Sequence, residues 1–347
     1  MSSSLANPIG PARPPRKVPR TLVAGLLIIL ICQALLFTDV WLTGRGPVHT
    51  QAAAEAIKHD HPPAGILAII ARRVAINMTP LAWAGYLIFL DGLLTCLQGQ
   101  SPIRRRPHHF VLLALASVFI WCVFDWVNFY SIRAWRYIGM PSSFAYRLPG
   151  YLVAFGAIVP GMLLSGQVLL NSRLFDWARV SAARYQGPHG PRSVRPPFSR
   201  TFTAILILSL LTGIAMFLWP WLHADPITNL TLWASLVFLL DPINYWLGRP
   251  SMWRDWHNGW FGRTLAAFAG GLLCGFLWEF WNYWALTKWI YHVPFLGSAE
   301  HFRYFEMPLP GLIGFLPFGL ECWVMWQTIR IVLDGLAEPL PDDRSLI

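Results

Sequence analysis

The stretch that decides the fold is residues 264–291, which read TLAAFAGGLLCGFL and then WEFWNYWALTKWIY. The first part is apolar enough to lie in the hydrocarbon core of a bilayer. The second part brings a carboxylate, Glu279, and an amide, Asn282, into a run of tryptophan and tyrosine rings. Because charged groups are costly inside a membrane, a carboxylate at such a place is a functional candidate by default.

The composition of the whole chain is that of a membrane protein. Hydrophobic residues make up 55% of the 347 residues and charged residues only 13%, against about 25% charged in soluble proteins. The net charge of +10 would suit a nucleic-acid partner in a soluble protein. Here the basic residues lie between apolar segments, as the positive-inside rule describes. We therefore predict an all-α integral membrane protein without a nucleic-acid partner.

Eight segments are predicted to span the membrane. Each is close to the ~20 apolar residues that a crossing helix needs, and they lie at 21–41, 79–96, 109–130, 150–170, 202–221, 230–247, 264–286 and 311–333. The basic, proline-rich segment 1–20 is predicted to be a disordered tail, and 335–347 a C-terminal tail. Residues 62–78 form a shorter, interrupted apolar segment that would either span or lie flat in the interface.

The distribution of basic residues orients these spans. With the N-terminus inside, 18 of the 27 lysines and arginines fall in the inner segments, and six of them lie between 173 and 200. The positive-inside rule therefore places both termini and the basic linker 171–200 in the cytoplasm, most simply at a bacterial inner membrane.

Two pairs of segments align without a gap. WAGYLIFLD (83–91) matches WASLVFLLD (233–241), 150 positions later, and FDWVNFYSIRAWRY (124–137) matches WEFWNYWALTKWIY (278–291), 154 positions later. The second alignment sets Asp125 against Glu279 and Asn128 against Asn282. The pattern predicts two tandem four-helix repeats, 21–170 and 201–334, with the same orientation in the membrane.

Glu279 and Asn282 are candidate catalytic residues. They lie three residues apart and so share one face of a helix, which Gly271 and Gly275 continue as a stripe of small residues. Such stripes let a second helix approach closely, so we expect Glu279 to face the bundle interior. The candidate substrate-binding residues around it are Trp278, Trp281, Trp289, Tyr291 and Glu306.

A third candidate catalytic residue is Glu321, about ten residues into the last predicted span, or ~15 Å along a helix axis and so near the bilayer midplane. Pro317, four residues earlier, is expected to bend that helix and free a carbonyl. A purely structural reading stays open, because acid and amide side chains also join helices by hydrogen bonds. It is the favoured reading for Asp125, and Asp91 and Asp241 are expected to be capping or interhelical groups.

Metal and cofactor chemistry finds no support in the sequence. The ten histidines fall in loops or at the edges of spans, and no Cys-x-x-Cys pair exists. A haem clamp inside the membrane and a zinc site both need such residues in the right places. We therefore predict no metal and no cofactor.

The order of the motifs WE, KWIY, MPLPG and GFLPFGLE resembles the lycopene cyclase domain of the integral-membrane carotenoid cyclases. Those proteins are tandem copies of a few-helix unit with a Trp-Asp pair, an aromatic loop, a Leu-Pro turn and an acidic helix start. Trp278-Glu279 takes the Trp-Asp place, and Trp289 with Tyr291 the aromatic place. The adjacent acidic pair of the family is a single Glu321 here.

The resemblance implies a proton-initiated reaction on an isoprenoid or carotenoid-like membrane lipid. Such a reaction needs an acid that an apolar pocket keeps protonated and aromatic faces that stabilise a carbocation. It needs no redox cofactor. A proton-coupled transporter and a non-catalytic membrane scaffold subunit stay open as alternatives, and so does a homo-oligomer.

Overall fold

The computed structural model describes residues 18–179, 199–223, 231–292, 301–334 and 345–347. Its first half contains the helices α1 (Arg20–Thr43), α2 (Gln51–Asp60), α3 (Ile66–Ile76), α4 (Met78–Gln98), α5 (Pro102–Arg105), α6 (Pro107–Val127) and α7 (Phe144–Asn171). Its second half contains α8 (Arg200–Leu222), α9 (Leu232–Trp246), α10 (Met252–His257), α11 (Gly262–Tyr283), α12 (Leu309–Ile313) and α13 (Phe315–Asp334). Four short strands complete the fold: β1 (Trp135–Ile138), β2 (Lys288–Tyr291), β3 (Arg303–Tyr304) and β4 (Met307–Pro308).

The described residues contain seven helical segments that are long and apolar enough to cross a membrane. They coincide with the predicted spans except for 230–247, which corresponds to α9. The 15 residues of α9 extend for about 22 Å, which is less than the ~30 Å hydrocarbon core. The chain is therefore an all-α membrane protein, and its short strands lie between the long helices.

The segment 62–78 forms a short helix rather than a span. α3 has 11 residues, or about 16 Å, and it packs against α1. Arg72 on α3 is buried and donates to the carboxylate of Asp39 on α1 at 2.6 Å. Arg45 donates to the other oxygen of Asp39 at 3.0 Å. The ion pairs hold α3 at the end of α1.

The last predicted span is interrupted near its start. The break lies at Gly314, between α12 and α13, and Pro317 lies in the first turn of α13. Ile313, the last residue of α12, is four positions before Pro317, and a proline cannot hydrogen-bond to the carbonyl at that position. The interruption therefore lies where Pro317 is expected to act.

The long helices pack in one continuous series. α1 lies along α4, α4 along α7, α7 along α11, α11 along α13, α13 along α9 and α9 along α8, while α6 packs on α7. Gly271 of α11 lies against Gly319 and the carbonyl of Phe315, and Gly275 lies against the Phe315 ring. The predicted stripe of small residues therefore brings α11 close to α13.

Asp91 of α4 and Asp241 of α9 cap the short helices that follow. Asp91 accepts hydrogen bonds from the Ser101 hydroxyl and from the backbone N–H at the start of α5. Asp241 accepts from the backbone N–H groups of Met252 and Trp253, both at 2.9 Å. Of the two roles expected for Asp91 and Asp241, capping or interhelical contact, these hydrogen bonds show capping.

Two strands that are far apart in sequence join the two halves of the molecule. β1 pairs antiparallel with β2, with Trp135 opposite Tyr291 and Tyr137 opposite Trp289. We call this pair the ribbon, and the end of the bundle that carries it the ribbon face. Gly139 follows β1 with φ +66°, a left-handed conformation that glycine adopts without strain.

Candidate functional site

Glu279 lies on α11 beneath the ribbon and is fully buried. Its Oε1 accepts a hydrogen bond from the indole Nε1 of Trp289 at 3.3 Å, and Tyr291 is its second hydrogen-bonding neighbour. Its Oε2 has no hydrogen-bond partner among the described residues. The carboxyl group is therefore held by two rings of β2 and retains one free oxygen.

Asn282 holds the backbone of the same tryptophan. Its Nδ2 donates to the carbonyl of Trp289 at 2.8 Å, and its Oδ1 accepts from the N–H of Trp289 at 3.0 Å. The three-residue spacing puts Asn282 and Glu279 on one helix face, as the sequence predicts. Together they fix both the side chain and the backbone of Trp289.

The same contacts occur 154 positions earlier. Asp125 accepts from Trp135 Nε1 at 3.0 Å and from the hydroxyl of Tyr137 at 2.9 Å. Asn128 donates to the carbonyl of Trp135 at 2.8 Å and accepts from its N–H at 3.2 Å. Each strand of the ribbon is thus anchored by one acid and one asparagine from the helical segment that precedes it.

The two tyrosines of the ribbon keep their protons. Burial raises the pKa of the Tyr137 hydroxyl well above its ordinary value, and the charge of Asp125 adds to that shift. Burial likewise raises the pKa of Tyr291, with Glu279 as the second cause. Both hydroxyl groups therefore act as hydrogen-bond donors to their carboxyl neighbours.

Trp278 and Trp281 lie in a closed aromatic core. Their rings contact Trp83 of α4 in edge-on geometry at centroid distances of 5.7 Å and 5.2 Å. Trp121 of α6 contacts Trp278 at 5.2 Å. These two predicted substrate-binding residues join α4, α6 and α11.

Glu306 belongs to an ion pair on the ribbon face. The ammonium of Lys288 contacts its Oε1, and His49 lies 3.0 Å from the same oxygen. Burial lowers the pKa of Lys288, while Glu306 acts in the opposite direction. Lys288 also donates to the carbonyl of Tyr283 at 2.8 Å. These contacts tie β2 to the loop before α12.

Glu321 lies apart from the ribbon. It is fully buried on α13, in the middle of the segment Leu309–Ile331. The backbone of Leu236 on α9 is its polar neighbour. Neither of its oxygens has a partner within ordinary hydrogen-bond geometry among the described residues. The two predicted acids thus face different elements, since Glu279 faces β2 and Glu321 faces α9.

A pocket opens beside the ribbon. Two of the anchored ribbon residues, Tyr137 and Trp289, lie in its wall. The pocket is lined by Ile76, Asn77, Thr79, Pro80, Tyr137, Met140, Pro141, Tyr146, Arg147, Gly150, Tyr151, Ala154, Phe155, Thr287, Lys288 and Trp289.

Of the predicted substrate-binding residues, Trp289 lines this pocket, together with side chains from α4 and α7 that the sequence analysis does not name. Tyr137 was within reach of sequence analysis, because the 154-position alignment sets it against Tyr291. No three His, Cys, Asp or Glu side chains cluster as metal ligands do within the described parts of the chain. No protein-family model matches the chain, and neither does any curated protein or solved structure.

Proposed function

We propose that the protein is an enzyme that acts on an isoprenoid or carotenoid-like membrane lipid by acid–base chemistry. One observation carries this proposal. Both carboxyl groups that recur at the 154-position offset contact an aromatic residue in the wall of the same pocket: Asp125 binds Tyr137, and Glu279 binds Trp289. The resemblance to the lycopene cyclase domain supports the same class of chemistry.

In the proposed reaction Tyr137 is the catalytic residue and Asp125 acts through it. With Asp125 protonated, its carboxyl group passes a proton to the oxygen of Tyr137 while the hydroxyl proton of Tyr137 moves to one carbon of a substrate double bond. Asp125 is therefore the net acid, and Tyr137 stays a neutral phenol throughout. The other carbon becomes a cation, which the faces of Trp289 and Phe155 stabilise by cation–π attraction. Loss of a proton from a neighbouring carbon returns it to Tyr137 and restores Asp125. The net change is an isomerisation or cyclisation, with no oxidation.

Glu279 and Asn282 have positioning roles in this proposal. They hold the indole and the backbone of Trp289 at 3.3 Å and 2.8 Å, which keeps the ring in the pocket wall. A residue fixed by one hydrogen bond at its ring and two at its backbone needs little reorganisation when positive charge develops beside the ring, and such preorganisation is a main source of catalysis.

The test compares total lipid and pigment extracts by mass spectrometry. Matched carotenoid-accumulating cells carry the wild-type protein, Tyr137→Phe, Glu279→Gln or no protein, and Tyr130→Phe serves as the control. Tyr130 is a tyrosine that is 70% exposed and lies outside the pocket wall. We expect a product with the wild type and with Tyr130→Phe, and its loss with Tyr137→Phe. Identical extracts from all cells, with every protein present in the membrane, would overturn the proposal.

Glu321 favours a second candidate function, proton-coupled transport. A buried carboxyl group without a hydrogen-bond partner in the middle of a span is typical of a proton carrier in a transporter. This reading predicts proton flux into vesicles that contain the protein and its loss with Glu321→Gln. If neither the proton flux nor the lipid product depends on Tyr137, Glu279 or Glu321, the protein is instead a non-catalytic scaffold subunit.

We further propose that the chain consists of two four-helix units with the same orientation. The twofold set of contacts around Asn128 and Asn282 supports this, with α9 as the shorter fourth helix of the second unit. By the positive-inside rule, the basic linker 171–200 favours both termini on the cytoplasmic side of a bacterial inner membrane. Reporter fusions at each terminus test the orientation: alkaline phosphatase should be inactive and a fluorescent protein bright at both ends. Cross-linking in the membrane tests for a homo-oligomer.

A further inference from the structure

The pocket continues outward as a second, more polar one. The two share Ile76, Met140, Pro141 and Tyr146, so they form one groove between α3, α4, α7 and the ribbon face. The inner part is walled by the rings of Tyr151 and Phe155, whose centroids lie 5.3 Å apart. The outer part is lined by Gln51, Glu55, Lys58, Arg73, Ser142 and Ser143. The groove is polar at its mouth and apolar inside.

Two arginines of this groove have no carboxylate partner among the described residues. Arg73 contacts the hydroxyl of Tyr146 at 3.2 Å, and Arg147 lies over the ring of Tyr151 at 6.0 Å. The Nε of Arg147 is buried and has no hydrogen-bond partner in the described part of the chain. Arg72, the neighbour of Arg73, shows the contrast, because it is paired with an aspartate at 2.6 Å.

Two further features make the groove attractive to anions. α4 and α7 both begin at the groove, and neither has an acidic residue in its first turn. The N-terminus of a helix carries a partial positive charge. In addition, the Oγ1 of Thr79 lies in the groove wall as a buried group without a hydrogen-bond partner among the described residues. Arginine donors, helix N-termini and a free hydroxyl group are the usual partners of phosphate oxygens.

We propose that this groove binds a membrane amphiphile with an anionic phosphate headgroup. The headgroup lies between Arg73 and Arg147, and the apolar chain runs inward past Tyr151 and Phe155 toward Tyr137. A soluble anion would leave the apolar inner part empty, and an uncharged lipid would leave the two arginines unpaired. The inference rests on the proposed function, since it uses the same pocket. Within the isoprenoid lipids proposed there, it selects those that carry a phosphate group over uncharged carotenoids.

The test measures binding to the purified full-length protein in detergent and needs no catalysis. The probes are dioctanoyl phosphatidic acid, dioctanoylglycerol and inorganic phosphate, and the readout is the quenching of tryptophan fluorescence. The variants are Arg147→Gln and Arg73→Gln. Arg136→Gln is the matched control, because Arg136 lies exposed on β1, outside the groove lining, and its removal costs the same charge.

We expect phosphatidic acid to bind equally to the wild type and to Arg136→Gln. It should bind at least about tenfold more weakly to Arg147→Gln and to Arg73→Gln, because each variant loses a charge-assisted hydrogen bond to the phosphate. Equal binding by all four proteins, or binding of dioctanoylglycerol as tight as that of phosphatidic acid, would overturn the inference. Inorganic phosphate binding as tightly as phosphatidic acid would also overturn it, because the acyl chains of the lipid would then contribute nothing to the affinity. Failure of the proposed reaction alone would leave this binding pattern intact.

Discussion

Replacing Asn282 by alanine should destabilise the protein strongly, because the side chain is fully buried and makes two hydrogen bonds to the backbone of Trp289. The substitution leaves the N–H and the carbonyl of Trp289 buried without a partner. Each such group costs about 1–3 kcal/mol, so we expect Asn282→Ala to lower the free energy of unfolding by about 2–6 kcal/mol. Detergent-denaturation curves followed by tryptophan fluorescence measure this change.

Asn171 offers a matched control for this substitution. It is also an asparagine with two hydrogen bonds, to Gln98 and Gln167, both at 3.0 Å, but it is only half-buried at the end of α7. Water can replace its partners, so Asn171→Ala should cost less than about 1 kcal/mol. The reasoning is refuted if the two alanine variants lose the same free energy, because burial would then not decide the cost.

A double variant tests whether the ribbon acts as one unit. Asn128 and Asn282 anchor opposite strands that hydrogen-bond to each other. When one asparagine is replaced, the strand that it holds is less ordered, and the hydrogen bonds of the other asparagine then stabilise the ribbon less. The cost of Asn128→Ala combined with Asn282→Ala should therefore fall short of the sum of the single variants by about 0.5–3 kcal/mol. Strict additivity would mean that the two strands respond independently.

Three further changes have defined outcomes. Gly139→Ala should lower the free energy of unfolding by more than the ~1–2 kcal/mol of left-handed strain, because a Cβ at this position would overlap the carbonyl of Leu286. Gly44 has φ +63° and no neighbour within reach of a Cβ, so denaturation curves of Gly44→Ala should show the cost of the strain alone. Burial lowers the pKa of His257 below 6.5, so the unfolded chain binds a proton more readily than the folded one. The free energy of unfolding should therefore fall as the pH drops below 6.5. His257→Gln should abolish this part of the pH dependence. Arg263→Lys keeps the positive charge but loses the bidentate hydrogen bond to the buried carboxylate of Asp255. Denaturation curves should show that the free energy of unfolding falls by about 1.5–3 kcal/mol.

The sequence predicts the local part of the site well. Helical periodicity fixes which face of α11 carries Glu279 and Asn282, because residues three apart always lie on the same side. Apolar length likewise predicts seven of the long helices. Both inferences depend on neighbours within a few residues, so no knowledge of the tertiary fold is needed.

The ribbon was beyond such reasoning. β1 and β2 have four residues each and lie about 150 positions apart, so neither shows enough alternation to predict a strand. Their pairing depends on the two halves meeting at one face. The roles of the tryptophans were equally hidden, since a ring that packs in a core and a ring that lines a pocket are the same residue in sequence. Trp278 packs on Trp83, whereas Trp289 reaches the pocket.

The register of the ribbon links the pocket to both acids. Tyr137 lies opposite Trp289, and both line the groove. A ligand that displaces Tyr137 must therefore break the ladder or carry Trp289 with it, and Trp289 is held by Glu279 and Asn282. Since breaking buried backbone hydrogen bonds is costly, the two rings move together or stay in place. It follows that Asn282, which does not line the groove, fixes the position of a residue that does.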